Sequence, residues 1–158
     1  MTIRVAPPPR LSQGFTLVEL AVALVVLGIL VAIGLPSFTE LVASQRARAA
    51  ASALYDSLVL ARSEAIKRNT STTLSVTNGN LASGWSVTAG TVTLRQQEAF
   101  SNLTFNPAAP SIAYNFYGRL TSGAGNIQIT SSGSVKCWMV TVDVSGRASV
   151  SNYSQGCP

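Results

Sequence analysis

Residues 15–35 are apolar except for Glu19, and this stretch limits what the chain can fold into more than any other feature. A helix needs about 20 consecutive apolar residues to cross the hydrocarbon core of a bilayer. The stretch therefore predicts a membrane-spanning helix. After Pro36 the sequence turns polar, with frequent Ser, Thr, Gly and Asn, and about 120 residues are enough to bury the core of one domain.

The segment before the apolar stretch carries Arg4 and Arg10. Basic residues favour the cytoplasmic side of a membrane, so we expect a single-pass protein with a cytoplasmic N-terminus and a periplasmic C-terminal domain. An alternative is an ordinary secretory signal cut after Ala32-Ile33-Gly34, which would release a soluble domain. The formal net charge is +5, and without residues 1–14, which carry Arg4 and Arg10, it is +3 (nine basic against six acidic); this mild excess suggests affinity for anions but does not identify nucleic acid as a partner.

The string Gly14-Phe15-Thr16-Leu17-Val18-Glu19 resembles the prepilin cleavage motif of type IV pilins and type II secretion pseudopilins. The resemblance implies that a prepilin peptidase cuts after Gly14 and methylates the new N-terminal amine of Phe15. It also implies that residues 1–14 are a leader and that residues 15–35 are kept as a transmembrane and assembly helix. The expected partners are other pilin or pseudopilin subunits, the peptidase and the inner membrane, and the final location is an extracellular filament.

Glu19 is the one charged side chain inside the predicted membrane helix. A carboxylate in that environment is costly and needs a partner. Cleavage after Gly14 would create one four residues away, the amine of Phe15, and the family resemblance implies that Glu19 pairs with this amine on a neighbouring subunit. The alternative is a carboxyl group near the interface that is simply protonated.

Residues 36–69 predict an amphipathic continuation of the same helix. Pro36 is expected to kink or loosen the helix, or to mark its exit from the membrane. Apolar residues then recur at spacings of three and four, which favours one narrow stripe packed on a sheet. The stripe consists of Ala47, Ala51, Leu54, Leu58, Ala61 and Ala65. Lys67 and Arg68 complement the helix dipole in the last turn, and Asn69 is expected to end the helix.

Residues 70–158 predict an antiparallel β-rich domain, so the fold class is α+β. Short β-prone runs are separated by Gly, Ser and Asn, and Asn78-Gly79 is typical of a tight turn. The predicted strands cover residues 72–77, 85–88, 91–95, 103–105, 113–117, 126–130, 137–144 and 147–151.

Three further strings resemble the GspH/FimT group of pilin-like proteins. They are Leu60-Ala61-Arg62-Ser63-Glu64-Ala65-Ile66-Lys67-Arg68-Asn69, Gly84-Trp85-Ser86-Val87 and Val144-Ser145-Gly146-Arg147. Their order and spacing extend the resemblance over residues 14–150. It implies a minor rather than a major subunit, closer to FimT/FimU-type minor pilins than to pseudopilin H.

Two cysteines, Cys137 and Cys157, lie late in the chain. An exported domain reaches an oxidising compartment, so we predict a disulfide between them. Two thiols without histidine make a poor metal site, and the chain contains no histidine at all. The absence of histidine excludes His-based catalysis, no phosphate-binding loop is present, and we expect neither a cofactor nor an enzyme.

Three functions remain open: a minor pilin that primes or caps a type IV pilus, an H-type pseudopilin in protein export, and a DNA-binding minor pilin in natural transformation. The last rests on Gly146-Arg147-Ala148-Ser149, which resembles a Gly-Arg-x-Arg motif but has Ser149 at the second arginine. Arg119, Lys136 and Arg147 with Trp138 and Tyr153 are expected to form its basic, aromatic surface. The alternative is that these are ordinary solvated residues.

Overall fold

The computed structural model describes residues 15–108, 110–123 and 125–154, without the side chains of 35–37. The chain divides into two compact units, one that ends at Ser37 and one that begins at Phe38. A single helix, α1 (Leu17–Arg68), contributes residues to both. The side chain of Pro36 is not among those that the structure describes, so the kink predicted there stays a prediction.

In the first unit, α1 exposes large apolar side chains in every direction. Leu17, Leu24 and Ile33 are all more than half exposed. Among the described residues, α1 is the one helix long and apolar enough to cross a membrane, judged by length and composition. An apolar surface of this kind is what a lipid-facing segment requires.

In the second unit, α1 buries one narrow stripe. Every residue predicted for that stripe is fully buried, and Ala50 joins them. The stripe is rich in alanine, whose small side chain lets the helix backbone approach the sheets closely. The prediction of a packed helix face is therefore confirmed.

The end of α1 follows from Asn69. This residue adopts a left-handed conformation (φ 50°), which asparagine tolerates better than most residues. Its N–H bonds the Ile66 carbonyl at 3.3 Å, and the Thr70 N–H bonds the Ala65 carbonyl at 3.1 Å. These two bonds are the Schellman arrangement that satisfies the last carbonyl groups of a helix.

Within the described residues, nine antiparallel strands make up most of the rest of the second unit. They are β1 (Thr72–Val76), β2 (Trp85–Ala89), β3 (Val92–Gln97), β4 (Leu103–Asn106), β5 (Ile112–Tyr114), β6 (Leu120–Ser122), β7 (Gly125–Ser131), β8 (Cys137–Val142) and β9 (Ala148–Tyr153). A five-stranded sheet has the order β3-β2-β1-β5-β6, and a four-stranded sheet has the order β4-β7-β8-β9. Side chains from both sheets join the α1 stripe in one core.

Buried polar groups tie α1 to the first sheet. The indole Nε1–H of Trp85 donates to Ser57 Oγ at 2.9 Å, and Thr72 Oγ1 donates to the Ala61 carbonyl at 2.9 Å. Trp85, Ser57 and Thr72 are fully buried. Since a buried polar group without a partner costs free energy, these bonds fix how the helix lies on the sheet.

One strand was predicted too long, and one strand was not predicted. The strand predicted over 113–117 ends at Tyr114 because Asn115 turns the chain: its side-chain oxygen accepts from the N–H groups of Tyr117 and Arg119 at 3.0 Å. The following strand β6 was not predicted. The tight turn predicted at Asn78-Gly79 lies in a short 3-10 helix, and a second 3-10 turn follows before β2.

Candidate functional site

The N-terminal candidate site begins just before α1. Thr16 Oγ1 accepts from the backbone N–H of Glu19 at 3.2 Å, while Glu19 Oε2 accepts from the N–H and the hydroxyl of Thr16, both at 2.9 Å. This reciprocal pattern is a capping box, which satisfies N–H groups that have no partner inside the helix. The sequence analysis missed this role of Thr16, although the spacing Thr-x-x-Glu before an apolar run is its known signal.

The capping box leaves Glu19 on the surface of the chain. Phe15 is 84% exposed, and Thr16 and Glu19 are exposed as well. Nothing within the described residues would block a second chain from reaching this carboxylate. Gly14 lies outside the described residues, so cleavage after Gly14 and methylation of Phe15 stay predictions.

The predicted basic surface is divided between the two ends of β8. Lys136 directly precedes this strand, whereas Arg147 follows it in the turn to β9. Six strand residues span about 20 Å, so the two cations lie far apart along the strand. Trp138 and Tyr153 belong to the Lys136 end, since Tyr153 pairs with Cys137 in the ladder. A DNA-binding surface that includes both Lys136 and Arg147 would have to extend along the whole strand, and it stays a prediction.

Arg119 lies on the same side as Arg147. The guanidinium Nε of Arg62, on α1, donates to the Gly118 carbonyl at 3.0 Å. A Cβ on Gly146 (φ 84°) would lie 2.2 Å from the same oxygen, so the β8–β9 turn packs directly on the β5–β6 turn. The packing places the residues that follow the two glycines, Arg119 and Arg147, on adjacent exposed turns.

A half-open cleft of about 250 Å³ lies beside this junction. It is lined by Tyr55, Val59, Arg62, Gly146, Arg147 and Ala148. A neighbouring cleft of about 260 Å³ is lined by Arg147 together with Thr141, Asp143, Ala148 and Ser149. The ring centroids of Phe116 and Tyr117 lie 4.3 Å apart on the β5–β6 turn, with the ring planes tilted by 47°. Sequence reasoning missed these two rings as candidates because it assigned them to a strand.

Hydrogen bonds hold the β8–β9 turn in shape. The hydroxyl of Ser145 and the backbone N–H of Arg147 both donate to the Asp143 carboxylate, and the Ser145 bond is the main cause that lowers the pKa of Asp143. Burial raises the pKa of nearby Tyr114 to about 12, with the Arg62 guanidinium acting in the opposite direction. Tyr114 is therefore a neutral core residue and not an acid or base available for chemistry.

Cys137 is fully buried at the first position of β8. Its predicted partner, Cys157, lies outside the described residues, so the disulfide stays a prediction. Within the described ranges, no three His, Cys, Asp or Glu side chains form a group suited to a metal ion.

Two family models match the chain. The model described as Type II transport protein GspH matches residues 50–146, and the model described as Prokaryotic N-terminal methylation motif matches residues 9–35. No curated protein matches by sequence.

The fold is similar to that of the type IV minor pilin FimU from Pseudomonas aeruginosa strain PAO1, solved in two crystal forms. One is 19% identical with a TM-score of 0.59 and covers 73% of this chain and 94% of that chain. The other is 20% identical with a TM-score of 0.56, and the match covers 70% of this chain and 96% of the FimU chain. This likeness shows the fold, a long N-terminal helix followed by antiparallel sheets.

Proposed function

The chain belongs to the GspH family, and we propose that it is a minor pilin subunit of a type IV pilus that helps to prime or cap the filament. The family and the fold are those of pilin structural proteins. The observation that carries the proposal is an exposed apolar helix with a methylation motif at its start, joined to a unit folded like the minor pilin FimU. The motif and the helix fit anchoring in the inner membrane.

Assembly would proceed from processing at the membrane. Prepilin peptidase cuts after Gly14 and methylates Phe15, and the helix over 15–35 stays in the bilayer. When subunits pack, the Glu19 carboxylate exchanges its hydrogen bonds to Thr16 for the charged amine of Phe15 on a neighbouring subunit. The amine replaces neutral donors with a charged one, and in an apolar surrounding an ion pair is stronger than a bond from a neutral donor to the same carboxylate, which favours this exchange.

The experiment that tests the proposal is a clean deletion strain beside a complemented strain. Surface pili are sheared and counted by electron microscopy, and secreted proteins are measured in the same cultures. Loss of pili with normal secretion supports the minor pilin. Normal pili with lost secretion would overturn the minor-pilin proposal in favour of an H-type pseudopilin. The pseudopilin is the function that the description Type II transport protein GspH favours.

A DNA-binding role is the second candidate, because Arg119 and Arg147 lie on adjacent turns with the exposed aromatic pair on one of them. Cations contact phosphate and rings stack on bases. Ser149 lines the same cleft as Arg147, so Ser149→Arg would restore the missing second arginine in place. Salt-sensitive DNA binding that weakens in Arg147→Ala and strengthens in Ser149→Arg supports this role, and identical binding by all three proteins excludes it.

A further inference from the structure

The turn between β7 and β8 presents an apolar and a basic side chain at its tip. Its backbone is fixed by three hydrogen bonds: Ser132 N–H to the Asn102 carbonyl, Ser134 N–H to the Ser131 carbonyl, and Lys136 N–H to Ser134 Oγ. Val135 is 67% exposed in this fixed turn. The exposure of Val135 is therefore a property of the folded turn.

The turn lies against the first residues of α1 in the second unit. A cleft of about 270 Å³ is lined by Phe38, Thr39, Val42, Ala43 and Arg46 from the helix and by Ser132 and Gly133 from the turn. On the helix, Phe38 is 63% and Leu41 is 52% exposed. Large apolar side chains of two separate elements thus lie at one end of the unit.

This end also carries positive charge. Arg46 and Arg48 are exposed on the helix, and Lys136 follows Val135 on the turn. The Arg48 guanidinium lies 5.8 Å from the ring centroid of Trp138. Glu40 is the one acid among helix residues 38–48, so this end carries more positive than negative charge.

The position in the chain indicates what covers this end. Phe38 comes three residues after the end of the apolar stretch, a rise of about 4.5 Å along a helix. A segment so close to a membrane span cannot be far from the lipid headgroups. Exposed apolar side chains together with Lys and Arg are the composition that binds the surface of an anionic membrane.

We propose that Phe38, Leu41, Arg46, Val135 and Lys136 form a membrane-contact patch that rests on anionic phospholipid while the subunit waits in the bilayer. The inference rests on the proposed membrane anchoring and adds a second contact that sets the orientation of the folded unit. Apolar side chains enter the headgroup region, and the cations bind lipid phosphates. The patch leaves the lipid when the subunit enters a filament.

The chain supplies a matched control for this patch. Val144, in the turn at the opposite end of β8, is also 67% exposed, and Arg147 lies near it as Lys136 lies near Val135. A probe at Val135 and a probe at Val144 therefore differ in location but not in exposure.

The test places a photo-crosslinking amino acid at Val135 or at Val144 of the full chain in nanodiscs of phosphatidylcholine with or without phosphatidylglycerol. Co-elution with the nanodisc confirms anchoring, so a failed anchor is distinguished from a failed patch. We expect lipid adducts, measured by mass spectrometry, at Val135 and not at Val144, and more of them when phosphatidylglycerol is present. Lys136→Gln should reduce the Val135 adducts about five-fold, and Arg147→Gln should leave them unchanged.

Equal lipid labelling at the two positions, no labelling at Val135 in an anchored chain, or crosslinks to a second chain in place of lipid would each overturn the proposal. Since Val135, Val144 and Arg147 are exposed and Lys136 is only half-buried, unfolding is not expected, and a circular dichroism spectrum checks each variant.

Discussion

The two parts of α1 share one secondary structure but place their side chains in opposite environments. Residues 17–34 expose leucine, isoleucine and valine all round, whereas the stripe from Ala47 to Ala65 is fully buried. Helix propensity does not explain the difference. In the first part the side chains suit a lipid solvent that surrounds the helix, and in the second they suit one protein surface. The same substitution should therefore have different consequences in the two parts.

Glu19 and Glu64, which lie in different parts of α1, give the largest expected contrast. We expect Glu19→Ala to remove the subunit from sheared pili almost completely, because the partner of the neighbouring amine is lost. Glu64→Ala, in the other part of the helix, should leave incorporation normal. Immunoblots of sheared pili and of whole cells measure both, and normal incorporation of Glu19→Ala would end the assembly role of this carboxylate.

Leucine truncation should separate the two parts by stability. Leu54 is fully buried in the core, so Leu54→Ala should lower the free energy of unfolding of the second unit by about 2–5 kcal/mol. Leu24 is exposed in the first unit, and Leu24→Ala should leave that value unchanged. Denaturant unfolding of the full chain in detergent, followed by tryptophan fluorescence, measures both. Equal losses would mean that the two parts are not energetically distinct.

A smaller effect is expected at the hydrogen bond between helix and sheet. Ser57→Ala removes the acceptor of the buried Trp85 indole and should cost about 1 kcal/mol. The matched control is Ser63→Ala, because the exposed Ser63 hydroxyl donates only to the Leu60 carbonyl of its own helix turn. The same unfolding assay applies, and a loss in Ser63→Ala as large as in Ser57→Ala would contradict the assignment.

The smallest expected effect is on how the free energy of unfolding depends on pH at acidic pH. The hydrogen bond from the Arg68 guanidinium is the main cause that lowers the pKa of Glu64, with desolvation opposing it and Lys67 adding attraction. A carboxyl group whose pKa is lower in the folded state stabilises the fold above its unfolded pKa of about 4.3, and that contribution is lost as the pH falls through the folded value. Glu64→Gln should therefore slightly flatten the acid side of the stability curve. An unchanged curve would show that this surface ion pair contributes nothing.

Elements with a regular residue pattern could be predicted from the sequence, whereas short or irregular elements could not. The buried stripe of α1 followed from its spacing, and most strands followed from β-prone runs separated by Gly, Ser and Asn. Phe116 and Tyr117 misled the strand prediction, since aromatic residues favour strands but Asn115 forms a side-chain turn here. β6 has only three residues and no distinctive pattern.

For the candidate sites, the order of residues along the chain predicted only part of their arrangement in space. Lys136 and Arg147 flank one predicted strand, which already places them at its two ends. The contact between Gly118 and Gly146 joins turns far apart in sequence, and no local pattern predicts it. The Thr-x-x-Glu spacing of the capping box is present in the sequence at Thr16, but Glu19 was interpreted only as an assembly residue.

The packing of Gly146 on the Gly118 carbonyl changes how the Gly-Arg pair at this turn should be used in comparing proteins. Any side chain at position 146 would need both an unfavourable backbone conformation and space that the Gly118 oxygen occupies. The glycine is therefore demanded by the architecture of the turn, and it should accompany this architecture whether or not the protein binds DNA. Information about a ligand can come only from the positions after it, such as Ser149, where the fold leaves the choice of residue open.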